Sequence, residues 1–348
     1  MTETTPEPVN PSAPHDKLHP IVFGPYGLRA GWSLIIAIAL FYVFFSGVSF
    51  LLKLTHLIPP QVMEHSPGPF PVFLTEAIGF CVTALVTWIM SKIEGRPLSV
   101  YGLGGTRKLF YLLTGIVIGL AAISLLILIL IKAGLLVIDS RLLFGSEALR
   151  YSILWIPGFL AIGLFEEYFF RGFLQYTLAR GLSGLARILP GKLDPKTIGF
   201  WTAAILVSFG FGAVHGSNPG ESPIGLFCAA FASLVFCLSL WRTGSLWWAI
   251  GLHAAWDYGQ SFLFGVGDSG AFFSPRLLQT HPVGQPLLSG GLTGPEGSIF
   301  CLLVLAGLVC VIHLTQELGP RSYAALMPSS VTPPPGPAGP SELPATTT

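Results

Sequence analysis

Apolar runs of close to span length, separated by short polar or Gly/Pro-rich stretches, make up most of this chain. Within each run the apolar residues do not alternate with polar ones, which suits helices and not lipid-facing strands. A helix rising about 1.5 Å per residue needs about 20 such residues to cross a hydrocarbon core of about 30 Å. On that measure eight spans are expected, at about 31–52, 72–90, 109–131, 153–178, 198–215, 224–240, 246–264 and 299–314. The fold class is therefore all-α: a polytopic transmembrane helical bundle of about eight spans.

The polar segments divide the chain. Residues 1–28 read as a disordered cytoplasmic segment, 29–318 as the bundle, and 327–348, with Pro333-Pro334-Pro335, as a Pro-rich disordered tail. The segment 179–197 reads as a polar linker and 265–296 as a long Gly/Pro-rich loop. Lys and Arg concentrate in the connectors after the second, fourth and sixth spans, which by the positive-inside rule makes both termini cytoplasmic. The expected setting is a bacterial plasma membrane.

Composition agrees with this pattern. The chain is 52% hydrophobic and 10% charged, with mean hydropathy +0.69, whereas soluble domains carry about 25% charged residues. A net charge of +1 creates no field that would draw nucleic acid, so the bilayer is the partner expected from composition. The cysteines Cys81, Cys228, Cys237, Cys301 and Cys310 all fall in predicted spans without a CxxC pair, and read as small apolar packers. The first apolar run begins too far into the chain for an ordinary cleavable signal peptide.

Charge inside the spans changes the picture. Phe165-Glu166-Glu167-Tyr168-Phe169-Phe170-Arg171 puts three formal charges in the fourth run, and ionisable groups persist there only if they pair, meet water or do chemistry. Glu167 and Arg171 are four apart and share a helix face, so they form an internal ion pair. Glu166 is turned away from that pair and is free to face a cavity. His215 closes the fifth span. In the seventh, His253 and Asp257 are again four apart. Glu76, in the second span, reads as an interfacial carboxylate within reach of water.

A carboxylate and an imidazole can hold a water and take its proton, as a hydrolase without a serine or cysteine nucleophile requires. A second imidazole and another polar group can donate to the oxyanion of an amide under attack. Alternatively, Glu166, His215 and His253 offer the ligand types that zinc accepts. The helical His-Glu-x-x-His spacing of zinc peptidases is absent, so the metal-free site is favoured and zinc is the alternative.

Glu166-Glu167-x-x-x-Arg171, Phe211-x-x-x-His215 and His253-x-x-x-Asp257, in this order and in successive spans, resemble the three-motif pattern of the CPBP family of CAAX proteases and bacteriocin-processing enzymes, also called Abi proteins. Phe170-Arg171-Gly172 and Asn218-Pro219-Gly220-Glu221 extend the likeness, which covers about 102–264. The resemblance implies an eight-span intramembrane endopeptidase, akin to the type II CAAX prenyl endopeptidases, acting on membrane-associated or lipidated protein or peptide substrates. In it Glu166 and His215 activate water, while His253 and residue 257 stabilise the oxyanion. Position 257 is often Asn in that family. Here an ionised Asp257 could not donate, so it is protonated, orients His253 or binds a metal. The competing readings are a non-catalytic membrane scaffold or immunity protein of the same fold, and a proton-coupled transporter, for which the paired repeats are missing.

Overall fold

Helices account for most of the computed structural model, which describes residues 19–24, 27–55, 67–187 and 193–316. The ends of the chain, the Pro59-Pro60 loop and Lys192 lie outside the described residues. The helices are α1 (Ala30–Thr55), α2 (Pro69–Glu94), α3 (Lys108–Lys132), α4 (Gly145–Glu167), α5 (Tyr176–Ala186), α6 (Pro195–His215), α7 (Pro223–Thr243), α8 (Trp247–Asp257) and α9 (Ile299–Thr315). A π-helical stretch, Tyr168–Gln175, joins α4 to α5, and a second, Tyr258–Leu263, extends α8.

Six helical segments among the described residues are long and apolar enough to cross a membrane, α4 and α5 counting as one segment from Gly145 to Ala186. The last two expected spans correspond to shorter helices: α8 with its π extension, and α9 with 17 residues. The fourth segment runs well past the expected boundary at 178. Residues 179–186, expected to be linker, continue α5 because Arg180 is not solvated there. Its guanidinium reaches the Glu94 carboxylate, the Leu28 carbonyl and the Ser33 hydroxyl, each at 3.0 Å. Packing therefore begins a few residues before 29, where Phe23–Gly24 pairs with Gly27–Leu28.

Helix ends follow local chemistry. Asp194 caps α6 by accepting from Thr197 N at 3.1 Å, with Pro195 in the first turn, and Ser222 caps α7 through Gly225 N at 3.2 Å, with Pro223 beside it. Between α3 and α8 the contact is set by small residues. A Cβ on Gly115 or Gly251 would enter the opposing helix backbone, at Trp248 O and Leu112 O respectively. Close backbone approach of this kind is how membrane helices associate where lipid removes the hydrophobic drive.

The stretch expected to be a Gly/Pro-rich loop is structured and folds back on the bundle. Its β2 (Leu278–Pro282) pairs antiparallel with β1 (Leu136–Arg141), in register Leu136 with Pro282 and Arg141 with Leu278. Trp155 Nε1 donates to Pro275 O at 2.8 Å, tying the segment to α4.

Candidate active site

Both helices that carry the paired motifs change geometry directly after them: α4 widens into π-helix after Glu167, and α8 does so after Asp257. Such bulges re-aim side chains and are frequent at functional sites. Arg171 Nη1 donates to Glu167 Oε1 at 3.0 Å, with neither side chain exposed. The guanidinium also lies 4.1 Å from the Phe211 ring centre and 5.2 Å from that of Phe236. Aromatic faces thus replace water around a buried cation.

The same Glu167 oxygen lies 3.0 Å from His253 Nδ1. A carboxylate that already accepts from Arg171 can only accept again, so Nδ1 carries the hydrogen and Nε2 points the other way. Nε2 lies 3.7 Å from Glu166 Oε2 and 3.6 Å from Asp257 Oδ2, at ion-pair distance but beyond a hydrogen bond. Phe236 stacks on the imidazole at 5.3 Å. Glu167, expected only as Arg171's partner, therefore has a second task in orienting His253.

His215 is oriented by its own helix. Its Nδ1 lies 2.7 Å from Phe211 O. A carbonyl only accepts, so the neutral ring keeps its hydrogen on Nδ1 and presents a bare Nε2.

Glu166, His215, His253 and Asp257 line one cavity of about 270 Å³. Apolar side chains, Val235, Leu252, Trp256, Leu305 and Leu308, line it as well. Cys228 and Cys301, expected as plain packers, also line it. Glu166 lines this cavity, and its Oε2 is buried without a hydrogen-bond partner. Glu76, read from sequence as an interfacial carboxylate within reach of water, is half-buried and lines the same cavity, because the α2–α4 packing turns it inward. As an ionisable residue within a span it carried the signal that exposed the other site residues.

Asp268, Ser269 and Glu296 also line the cavity, and no local sequence signal marked them. Ser269 holds φ 45°, in the left-handed region that non-glycine residues seldom adopt. Glu296 accepts from both its backbone N–H and its hydroxyl, and Asn218 Nδ2 donates to its carbonyl at 2.7 Å. Ser261 Oγ donates to Asp268 Oδ2 at 2.6 Å. Desolvation in the cavity wall pushes the Asp268 carboxyl well above the usual range. Burial also raises Glu221, beside the cavity mouth.

Zinc would need three protein donors about 2.0–2.2 Å from one point. His253 and His215 each commit Nδ1 to an acceptor, which leaves Nε2 as the free donor atom of both rings, and among the described residues no group of three or more His, Cys, Asp or Glu that could hold a metal ion is gathered at one point.

Residues 148–259 match the family described as Type II CAAX prenyl endopeptidase Rce1-like, a stretch that contains Glu166, Glu167, Arg171, His215, His253 and Asp257. No curated protein and no solved structure matches the chain.

Proposed function

From the assignment of this chain to the CPBP/CAAX protease family, which the match over residues 148–259 supports, we propose that it is an intramembrane endopeptidase that hydrolyses membrane-associated peptides without a metal. The observation that carries this reading is the joint exposure of Glu166 and the bare Nε2 of His215 to one cavity. Water held between them loses a proton to this pair as its oxygen adds to the scissile carbonyl. The carbonyl oxygen becomes an oxyanion. His253, oriented by Glu167 and protonated at Nε2, donates to it, and Asp257 in its neutral form adds a second donor. Collapse of the intermediate breaks the C–N bond, and the proton first taken from water passes to the leaving amine. The apolar wall receives the substrate's hydrophobic part. The proteolytic core is taken as about 102–264, with both termini cytoplasmic.

The test is purified protein against Glu166→Ala in detergent, using fluorescence-quenched acylated peptides, together with a comparison of membrane-protein lengths in cells carrying either form. Cleavage lost in the variant supports the reading. Equal cleavage by both forms overturns it. The scaffold and transporter readings lack a comparable observation.

A further inference from the structure

The two ends of the bundle differ in what they hold. One gathers the segment before α1, the α2–α3 and α7–α8 connectors and the end of α9, with Arg180 on Leu28 O, Leu246 N on Gly102 O at 3.0 Å and Arg242 on His313 O at 2.9 Å. The other gathers the start of α2, the β1–β2 pair and the connectors 216–222 and 265–298. Ser274 N bonds Pro67 O at 3.3 Å there, and Thr293 Oγ1 donates to Gly220 O at 3.1 Å. The cavity belongs to this second end. His215 is the last residue of α6, and the cavity's half-buried rim of Asn218, Ala271, Phe273 and Glu296 comes from that end's connectors.

Charge tells the ends apart. The α2–α3 connector and its flanking turns hold Lys92, Arg96, Arg107 and Lys108 against Glu94 alone. At the cavity end, connector 216–222 holds only Glu221, 265–298 holds Arg276 against Asp268 and Glu296, 133–144 holds Arg141 against Asp139, and the flanking turns add Lys53, Lys132 and Arg150 against Glu147, so acids balance bases there. The basic end also carries Arg180, Arg187, Lys196 and Arg242 against Asp194. Short basic connectors stay cytoplasmic, so the cavity end faces outward.

We propose that this site is supplied from the non-cytoplasmic side, and that its substrate is a membrane-anchored peptide whose scissile bond sits at the outer interface after export. The proposal rests on the proteolytic reading above. Water reaches His215 through the same rim. A protein lipidated in the cytoplasm and left on the inner leaflet meets the opposite, basic end of the bundle, where none of the site residues lies.

Two measurements on the full-length protein decide this. With Cys81, Cys228, Cys301 and Cys310 replaced by Ala, Leu292→Cys on the cavity-end connector and Ser99→Cys on the basic end are treated with a membrane-impermeant maleimide in intact cells. Leu292 is 68% exposed and Ser99 is also exposed. The expected result is labelling of Leu292→Cys in intact cells and of Ser99→Cys only after permeabilisation; the reverse pattern overturns the proposal. Wild-type protein in sealed vesicles is then given a fluorescence-quenched, singly acylated peptide from outside. Right-side-out vesicles are expected to cleave it, and inside-out vesicles to show loss of cleavage until they are permeabilised. Cleavage by inside-out vesicles alone overturns the sidedness and leaves the protease reading intact. Detergent-solubilised enzyme that cleaves no better than Glu166→Ala overturns the protease reading instead, while labelling still decides which end faces out.

Discussion

Glu167 Oε1 accepts from Arg171 Nη1 and from His253 Nδ1 at 3.0 Å each, so a single buried oxygen joins the π-helical stretch after α4 to α8. The ion pair that holds the bundle and the imidazole that faces the cavity share one acceptor. Under the proposed function, folding and catalysis are coupled through it, whereas Glu166, one residue earlier, lines the cavity with its Oε2 3.7 Å from His253 Nε2.

Glu167→Ala is therefore expected to reduce abundance sharply, because it leaves Arg171 without its carboxylate in a buried site at a cost of about 3–5 kcal/mol. Glu166→Ala should leave abundance near that of the wild type and abolish cleavage. Quantitative blotting beside a peptide assay separates the two. Equal abundance with retained activity in both variants would show that the roles are misassigned.

Asp257→Asn tests the second donor. The amide keeps a donor of nearly the same shape with no proton required, so most activity should remain at neutral pH, and chelator treatment should leave the wild type unaffected. An inactive Asn variant, combined with a wild type that chelator silences and zinc restores, is the outcome that would sink the metal-free site.

Asp268 gives a stability prediction with a definite sign. Desolvation at its half-buried place in the cavity wall raises its folded-state carboxyl well above the ordinary 3.8, so the folded state holds the proton more tightly than the unfolded state does. Stability from this group is full below the ordinary value and is lost as pH rises through the raised one. Asp268→Asn removes that loss. Its thermal midpoint in detergent should exceed that of the wild type at pH 8 and show no gain at pH 4, with about 2–4 °C for each kcal/mol relieved. A gain of the same size at both pH values would contradict the assignment.

The strained Ser269 gives a fourth. Ser269→Gly relieves the positive φ but loses the hydroxyl bond to Glu296, so its net effect on stability should be small. Glu296→Ala removes the acceptor for the Ser269 backbone and hydroxyl and for Gln260 at 3.1 Å. Faster limited proteolysis between 265 and 296, with reduced cleavage of the acylated peptide, is expected for Glu296→Ala alone. Identical behaviour of the two variants would mean that Glu296 does not hold this segment.

Hydropathy alone determined that this chain is a helical membrane bundle, because an apolar run of span length has few other stable forms in lipid. Helical spacing paired Glu167 with Arg171 and His253 with Asp257, since residues four apart on a helix must be neighbours whatever surrounds them. The inward turn of Glu76 depends on how α2 meets α4. The bond from Glu167 to His253 joins helices 86 residues apart. The fold-back of 265–298, which brings Asp268, Ser269 and Glu296 to the cavity, rests on β2 finding β1 and on a strained turn held by Glu296. Each of these is a long-range relationship: period and spacing report a residue's own helix face, and only packing decides what that face meets.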